Sequence, residues 1–141
     1  MNPYLIPAMK THTINKQLSD ISKPEQIVNI VSAYFCENTP IGIRFPNIGT
    51  KGLNQLVKST TRKREIVETR FAICYFIKSM LNTPLEAIGL LLGGRDHSSI
   101  IHAVNTYEND AQTSSINFKR HEDLCELLAV DNDIEQIKRS R

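Results

Sequence analysis

The chain has 141 residues, 40% hydrophobic and 23% charged, with a formal net charge of +2; that suits one globular domain with tails and excludes a low-complexity chain. No apolar run approaches the roughly 20 residues that span a bilayer, and the opening Met-Asn-Pro-Tyr-Leu-Ile-Pro has no apolar leader core. Cys36, Cys74 and Cys125 are widely spaced and form no CxxC pair, so reduced thiols in a cytoplasmic protein are expected, with no membrane segment, no disulfide framework, no metal site and no cofactor.

Charge is unevenly distributed. From Lys51 to Arg64 the charged residues are Lys51, Lys58, Arg62, Lys63 and Arg64, with no acid among them. Acids gather later, at Glu108, Asp110, Glu122, Asp123, Glu126, Asp131, Asp133 and Glu135. The basic segment is either a site for an anionic partner or an ordinary solvated face.

Residues 1–22 hold two early prolines and a short apolar pattern around Ile14 and Leu18, which reads as a tail or short arm. Pro24 suits a first helical position and Glu25 a first turn, with Ser22 or Lys23 at the cap. Ile27, Ile30, Val31, Tyr34 and Phe35 then recur at helical steps to about Cys36. Pro40, Gly42, Pro46, Gly49 and Gly52 break residues 37–52 into a long surface loop, in which Ile41, Ile43 and Phe45 alternate. Leu53, Leu56 and Val57 make one helical turn ahead of Lys58-Ser59-Thr60-Thr61.

The longest helix follows Arg62-Lys63-Arg64-Glu65. Ile66, Val67, Ala72, Ile73, Phe76, Ile77, Met80 and Leu81 give it a broad apolar face, and Phe71 to Ile77 is apolar almost all round. It is expected to be the spine of the core, with a basic N-terminal end. Asn82-Thr83-Pro84 stops it and opens a short helix, with Thr83 or Asn82 at the cap, on Leu85, Ile88, Leu91 and Leu92, closed by Gly93-Gly94. Beyond the glycines, Ile100, Val104 and Tyr107 share one face of another helix, while His97, Ser98, Ser99, His102, Asn105 and Thr106 face outward. A short helix, a Gly turn and a helix with a polar leading turn is the sequence form of a helix-turn-helix, though any helical hairpin can share that spacing. The chain turns polar at Glu108-Asn109-Asp110. A last helix is expected from Ser115, with Ile116, Leu124, Leu127 and Leu128 packing back and a charged end from Gln136.

Three runs carry a resemblance: Arg62-Lys63-Arg64-Glu65-Ile66-Val67-Glu68-Thr69-Arg70, Leu85-Glu86-Ala87-Ile88-Gly89, and Gly93-Gly94-Arg95-Asp96-His97-Ser98-Ser99-Ile100-Ile101-His102-Ala103. At this separation they resemble the C-terminal DNA-binding domain (domain IV) of the DnaA family, the bacterial chromosomal replication initiators. The resemblance covers roughly Pro24 to Leu128. It implies an all-α, Trp-repressor-like domain over residues 23–141 that binds double-stranded DNA at short asymmetric sites of the TTATCCACA kind. By the same resemblance Asp96, His97, Ser98 and Ser99 read base edges and nearby phosphates, and Arg62, Lys63, Arg64 and Arg70 hold phosphate or enter the minor groove. Leu85 and Glu86 match the start of the helix that lies against the DNA backbone or thymine methyls, and Arg95 belongs to the same interface.

The chemistry agrees with these roles. A carboxylate accepts from a cytosine amine, hydroxyls serve bases or phosphates, and arginines suit a narrow minor groove. Each residue also has a plainer reading. Asp96 can be the helix cap, which does not exclude a base contact. His97 can be a surface histidine. Arg95 can pair locally to fix the turn, His102 can be partly buried, and the Arg62–Arg64 run can be solvated.

Phe71 stands where the family often has Gln, and Ser98 and Ser99 where it has Thr, so site preference is expected to differ. The 37–52 loop looks inserted. No Gly-rich loop with Lys-Ser/Thr is present, so binding without an ATPase is expected. Enzyme chemistry is not: Asp96, His97 and Ser98 are consecutive and point about 100° apart, and His97 and His102 are five apart rather than the four that align metal ligands. The alternative to specific DNA binding in replication initiation or its control is a protein-interaction module or mobile-element regulator that kept the fold. The tail and the 37–52 loop are the places left for a protein partner.

Overall fold

The computed structural model describes residues 21–135, and among them the structure is seven α-helices with no strand. The expectations for the 1–20 segment and for the charged end from Gln136 lie outside the described residues. The helices are α1 (Pro24–Asn38), α2 (Ile41–Arg44), α3 (Gly49–Val57), α4 (Arg64–Leu81), α5 (Leu85–Leu91), α6 (His97–Thr113) and α7 (Ser115–Leu128).

The spine is α4. Ile66, Ala72, Ile73, Cys74 and Ile77 are each 0% exposed, as its apolar middle demands. It packs against α6 most extensively and against α1, α3 and α5 as well, while α7 closes over α6 and α1. Two polar contacts fasten α7 inside this arrangement. The Tyr34 hydroxyl donates to Asp123 Oδ2 at 2.8 Å. His121, 1% exposed, stacks on Phe76 and sits 2.9 Å by Nδ1 from the Tyr107 hydroxyl. Burial pulls the His121 pKa down to about 4, so the ring is neutral at pH 7.

Four local expectations need correction. Residues 37–52 are not one long loop, because α2 and the start of α3 lie within them. The breakers sit where helices tolerate them: Pro40 caps α2, and Asn47 (φ 67°) and Gly49 (φ 66°) turn the chain into α3. The burial of Ile41 and Leu53, both 0% exposed, outweighs the roughly 1 kcal/mol that Gly52 costs inside α3. Secondly, the polar stretch Glu108-Asn109-Asp110 does not break α6, which runs to Thr113, since Ala111, 0% exposed, anchors its last turns and Glu108-Asn109 is their solvated face. Thirdly, Asn82 does not cap α5. It ends α4 in the left-handed conformation (φ 49°), accepting from Lys78 Nζ. Lastly, Ile116 and Leu127 are 67% and 56% exposed; the inner face of α7 is His121, Leu124, Cys125 and Leu128.

Candidate nucleic-acid interface

Glycines build the junction between α5 and α6. The carbonyl of Gly89 accepts from the backbone N–H of Leu92 at 3.2 Å and of Gly94 and Arg95 at 2.9 Å each. A Cβ on Gly89 would overlap the carbonyl oxygen of Arg95, so this tight return of the chain requires the missing side chain. Gly93 has φ +92°, and a Cβ there would overlap the carbonyl oxygen of Lys58. The turn of the helix pair is therefore seated directly on the basic loop that precedes α4.

That loop is shaped by its hydroxyls. Ser59 Oγ donates to Leu56 O at 2.6 Å and accepts from Thr61 N at 3.3 Å, and Thr61 Oγ1 accepts from Lys63 N at 3.3 Å. Local Ser/Thr turns of this kind fix a backbone without a helix or strand. Two guanidinium groups then clamp it from beneath. Arg70 Nε donates to Val57 O at 2.8 Å, and its Nη2 donates to Ser59 O and Thr61 O at 3.2 Å each. Arg95 Nη2 donates to the same Ser59 carbonyl. Burial and then the neighbouring Arg95 charge disfavour the charged form of Arg70; three carbonyl acceptors offset that cost.

Arg70 is thus only 6% exposed and faces inward. Its guanidinium donates to the backbone carbonyls of residues 57, 59 and 61. Arg95 matches the local alternative, with a backbone carbonyl as its partner. The clamp leaves Arg62, Lys63 and Arg64 exposed. Arg64 Nε lies 3.5 Å from Glu68 Oε2 but its side chain stays 86% exposed, so this pair leaves the charge largely in solvent.

On the other side of the turn, Asp96 caps α6. Its Oδ1 accepts from Ser99 N at 2.9 Å. The Ser99 backbone N–H, followed by the Ser99 hydroxyl, holds the Asp96 carboxyl below the usual carboxylate range, so it is an anionic acceptor at pH 7. Asp96, His97, Ser98 and Ser99 are all exposed, while Ile100 (1%) and Ala103 (3%) pin the opposite face of the helix to the core. Leu85 is half-buried and Glu86 exposed in the first turn of α5. His102 is exposed rather than partly buried, edge-on to Phe71 with ring centroids 5.8 Å apart. Phe71 therefore packs against α6 in place of making a polar contact.

The exposed cations and the polar first turn of α6 are hence parts of one rigid surface, joined through Ser59. Ser59, Thr61, Gly89 and the carbonyl of Lys58 were missed as positioning elements. One signal was available for Arg70: it falls at helical steps from Ile66, Ile73 and Cys74, on the buried face of α4.

Residues 54–106, which contain both halves of this surface, match the family model of the bacterial DnaA protein helix-turn-helix. This part of the chain is similar to the helix-turn-helix of DnaA proteins. Chromosomal replication initiator protein DnaA of Ureaplasma parvum serovar 3 is 40% identical over 83 residues, which are 59% of this chain and 15% of that protein. DnaA of Chlorobaculum tepidum is 41% identical over 74 residues, 52% of this chain and 15% of the relative. DnaA of Flavobacterium psychrophilum is 35% identical over 76 residues, 54% and 16% respectively. The match thus spans about 15% of the length of these relatives. No solved structure matches the chain. Among the described residues, no helix is long and apolar enough to cross a membrane.

Proposed function

We propose that this chain binds double-stranded DNA at a specific site, as the DnaA-type helix-turn-helix implies, in replication initiation or its control and without hydrolysing ATP. The first turn of α6 enters the major groove: Asp96 accepts from a base amine, and His97, Ser98 and Ser99 reach base edges or phosphates. The N-terminal end of α6, the positive end of its dipole, favours phosphate alongside. Arg62, Lys63 and Arg64 take the adjoining minor groove and backbone. Leu85 and Glu86 lie along the strand between them. Arg70 and Arg95 position the basic loop and do not touch DNA in this reading.

The observation that carries the proposal is the shared Ser59 carbonyl. Arg95, next to the cap of α6, and Arg70 both donate to it, so the spacing of the two anchors is set before any ligand arrives. Preorganisation of this kind lets one copy read an asymmetric site without the ordering cost of a loose arm.

The test is a titration of fluorescent duplexes with and without an initiator-type box at several salt concentrations. Preferential binding of the box is expected, and Ser98→Ala or His97→Ala should weaken it by about 1–3 kcal/mol and relax selectivity. Failure of both duplexes to bind at low salt refutes the reading and leaves the protein-interaction alternative. Equal binding of the two refutes its specificity.

A further inference from the structure

The outer face of α3 carries Lys51, Gln55 and Lys58, all exposed. Their steps of four and three residues stack them along one side of the helix. The rotation of α3 is fixed from within: Leu53 and Val57 are 0% exposed, and Asn54 Nδ2 donates to Asn29 Oδ1 on α1 at 2.8 Å. The stripe ends at Lys58, whose carbonyl oxygen is the atom that Gly93 is seated on. It therefore begins at the junction of the two proposed anchors and leads away from them for about 10 Å, at ~1.5 Å per helical residue.

From Asn38 to Val67 the sequence holds six Lys or Arg and one acid, Glu65. Glu65 is only 14% exposed, and its carboxylate is 2.8 Å from Arg44 Nε. That ion pair ties the end of α2 to the first turn of α4, beside Arg62–Arg64, and leaves Arg44 64% exposed. The surface is thus continuous with the basic loop and complementary to a polyanion.

We propose that Lys51, Gln55 and Lys58 form a further contact surface for the phosphate backbone of duplex DNA flanking the core site. It rests on the DNA-binding reading above and extends that footprint in one direction only. A length of about 10 Å corresponds to roughly three phosphates of one strand, at ~3.4 Å of helix axis each. The segment that carries it is the helical piece formed from residues 41–58, so the Pro- and Gly-rich stretch has a mechanical role: it braces a cationic flank.

The experiment uses the whole chain and three duplexes with the same initiator-type box. One ends at the box, and the others add about five base pairs at one end or the other, longer than the stripe at ~3.4 Å per pair. Wild type should bind one extended duplex more tightly than the short one, with a salt slope steeper by about 1–2, at roughly 0.9 per phosphate. Lys51→Gln with Lys58→Gln should abolish that difference and keep binding to the short duplex, with an unchanged Tm. Equal losses on all three duplexes, or a wild type indifferent to both extensions, overturn the flank and leave the core interface intact. Absence of binding to the short duplex overturns both.

Discussion

Gly93 and Gly94 are adjacent, share a left-handed backbone (φ +92° and +83°) and differ in what surrounds them. Replacing either with Ala adds the strain of an L-residue at positive φ, about 1–2 kcal/mol. At Gly94 that is the whole effect, because a Cβ would meet nothing within 4 Å. At Gly93 the Cβ would overlap Lys58 O and lie 3.2 Å from its carbonyl carbon. The basic loop has to retreat from the turn, which unhooks Ser59 O from Arg95. A hydrogen bond to a charged group contributes about 1.5–3 kcal/mol, so Gly93→Ala should destabilise by about 2.5–5 kcal/mol in total, against about 1–2 for Gly94→Ala. Gly89→Ala is the complementary probe, having an ordinary φ but a Cβ that would overlap Arg95 O. Urea unfolding monitored by circular dichroism measures each loss, and titration of a box duplex measures the consequence. Gly94→Ala should retain most of its affinity, whereas Gly93→Ala, where folded, should lose affinity because its two anchors are out of register. Equal destabilisation by the two adjacent substitutions refutes the argument that the turn is seated on the loop.

Arg70→Gln should destabilise the fold by on the order of 3 kcal/mol, since the carbonyls of Val57, Ser59 and Thr61 lose a shared donor; a variant as stable as wild type in urea denies the clamp. Arg62→Ala, at an exposed position, should leave Tm unchanged and reduce the salt slope of binding by about 0.9 if it neutralises one phosphate, and an unchanged slope removes it from the interface. His121 has its pKa depressed from 6.5 to about 4 by burial. The unfolded chain therefore takes up the proton first on acidification: the stabilisation is complete above about pH 6.5 and is lost as pH falls towards 4, by about 3.5 kcal/mol at ~1.4 kcal/mol per pH unit. Unfolding free energies of wild type and His121→Gln measured between pH 4 and 7 should converge on the acid side, and parallel curves contradict the assignment.

Much of the candidate interface was legible because it is local. Asp96 as a cap, the exposed hydroxyls after it and the Gly turn before it follow from residue type and spacing within a few positions. The apolar run from Phe71 to Ile77 likewise announced the spine, because a helix apolar all round has to be buried. Residues 41–52 were less readable, since Pro and Gly forbid helix only in helix interiors and say little about short helices that begin and end on them. The face of α7 was misjudged at Ile116 and Leu127 for a related reason: several apolar registers fit a 14-residue helix, and the neighbour selects one.

The sequence by itself determined the helices that carry the candidate interface, the chemistry of the α6 leading turn, and the placement of exposed cations at the head of α4. Those are consequences of periodicity and of what each side chain can donate or accept. Tertiary structure alone decided which arginines face outward. Arg62 and Arg70 look equivalent in a line of text, yet one is exposed and the other is spent on three carbonyls thirteen, eleven and nine residues away. It alone decided that Gly93 sits on Lys58 and that Arg95 reaches Ser59, 36 residues earlier. Backbone carbonyls carry no mark in a sequence, so contacts made to them become visible only when the chain has folded around them.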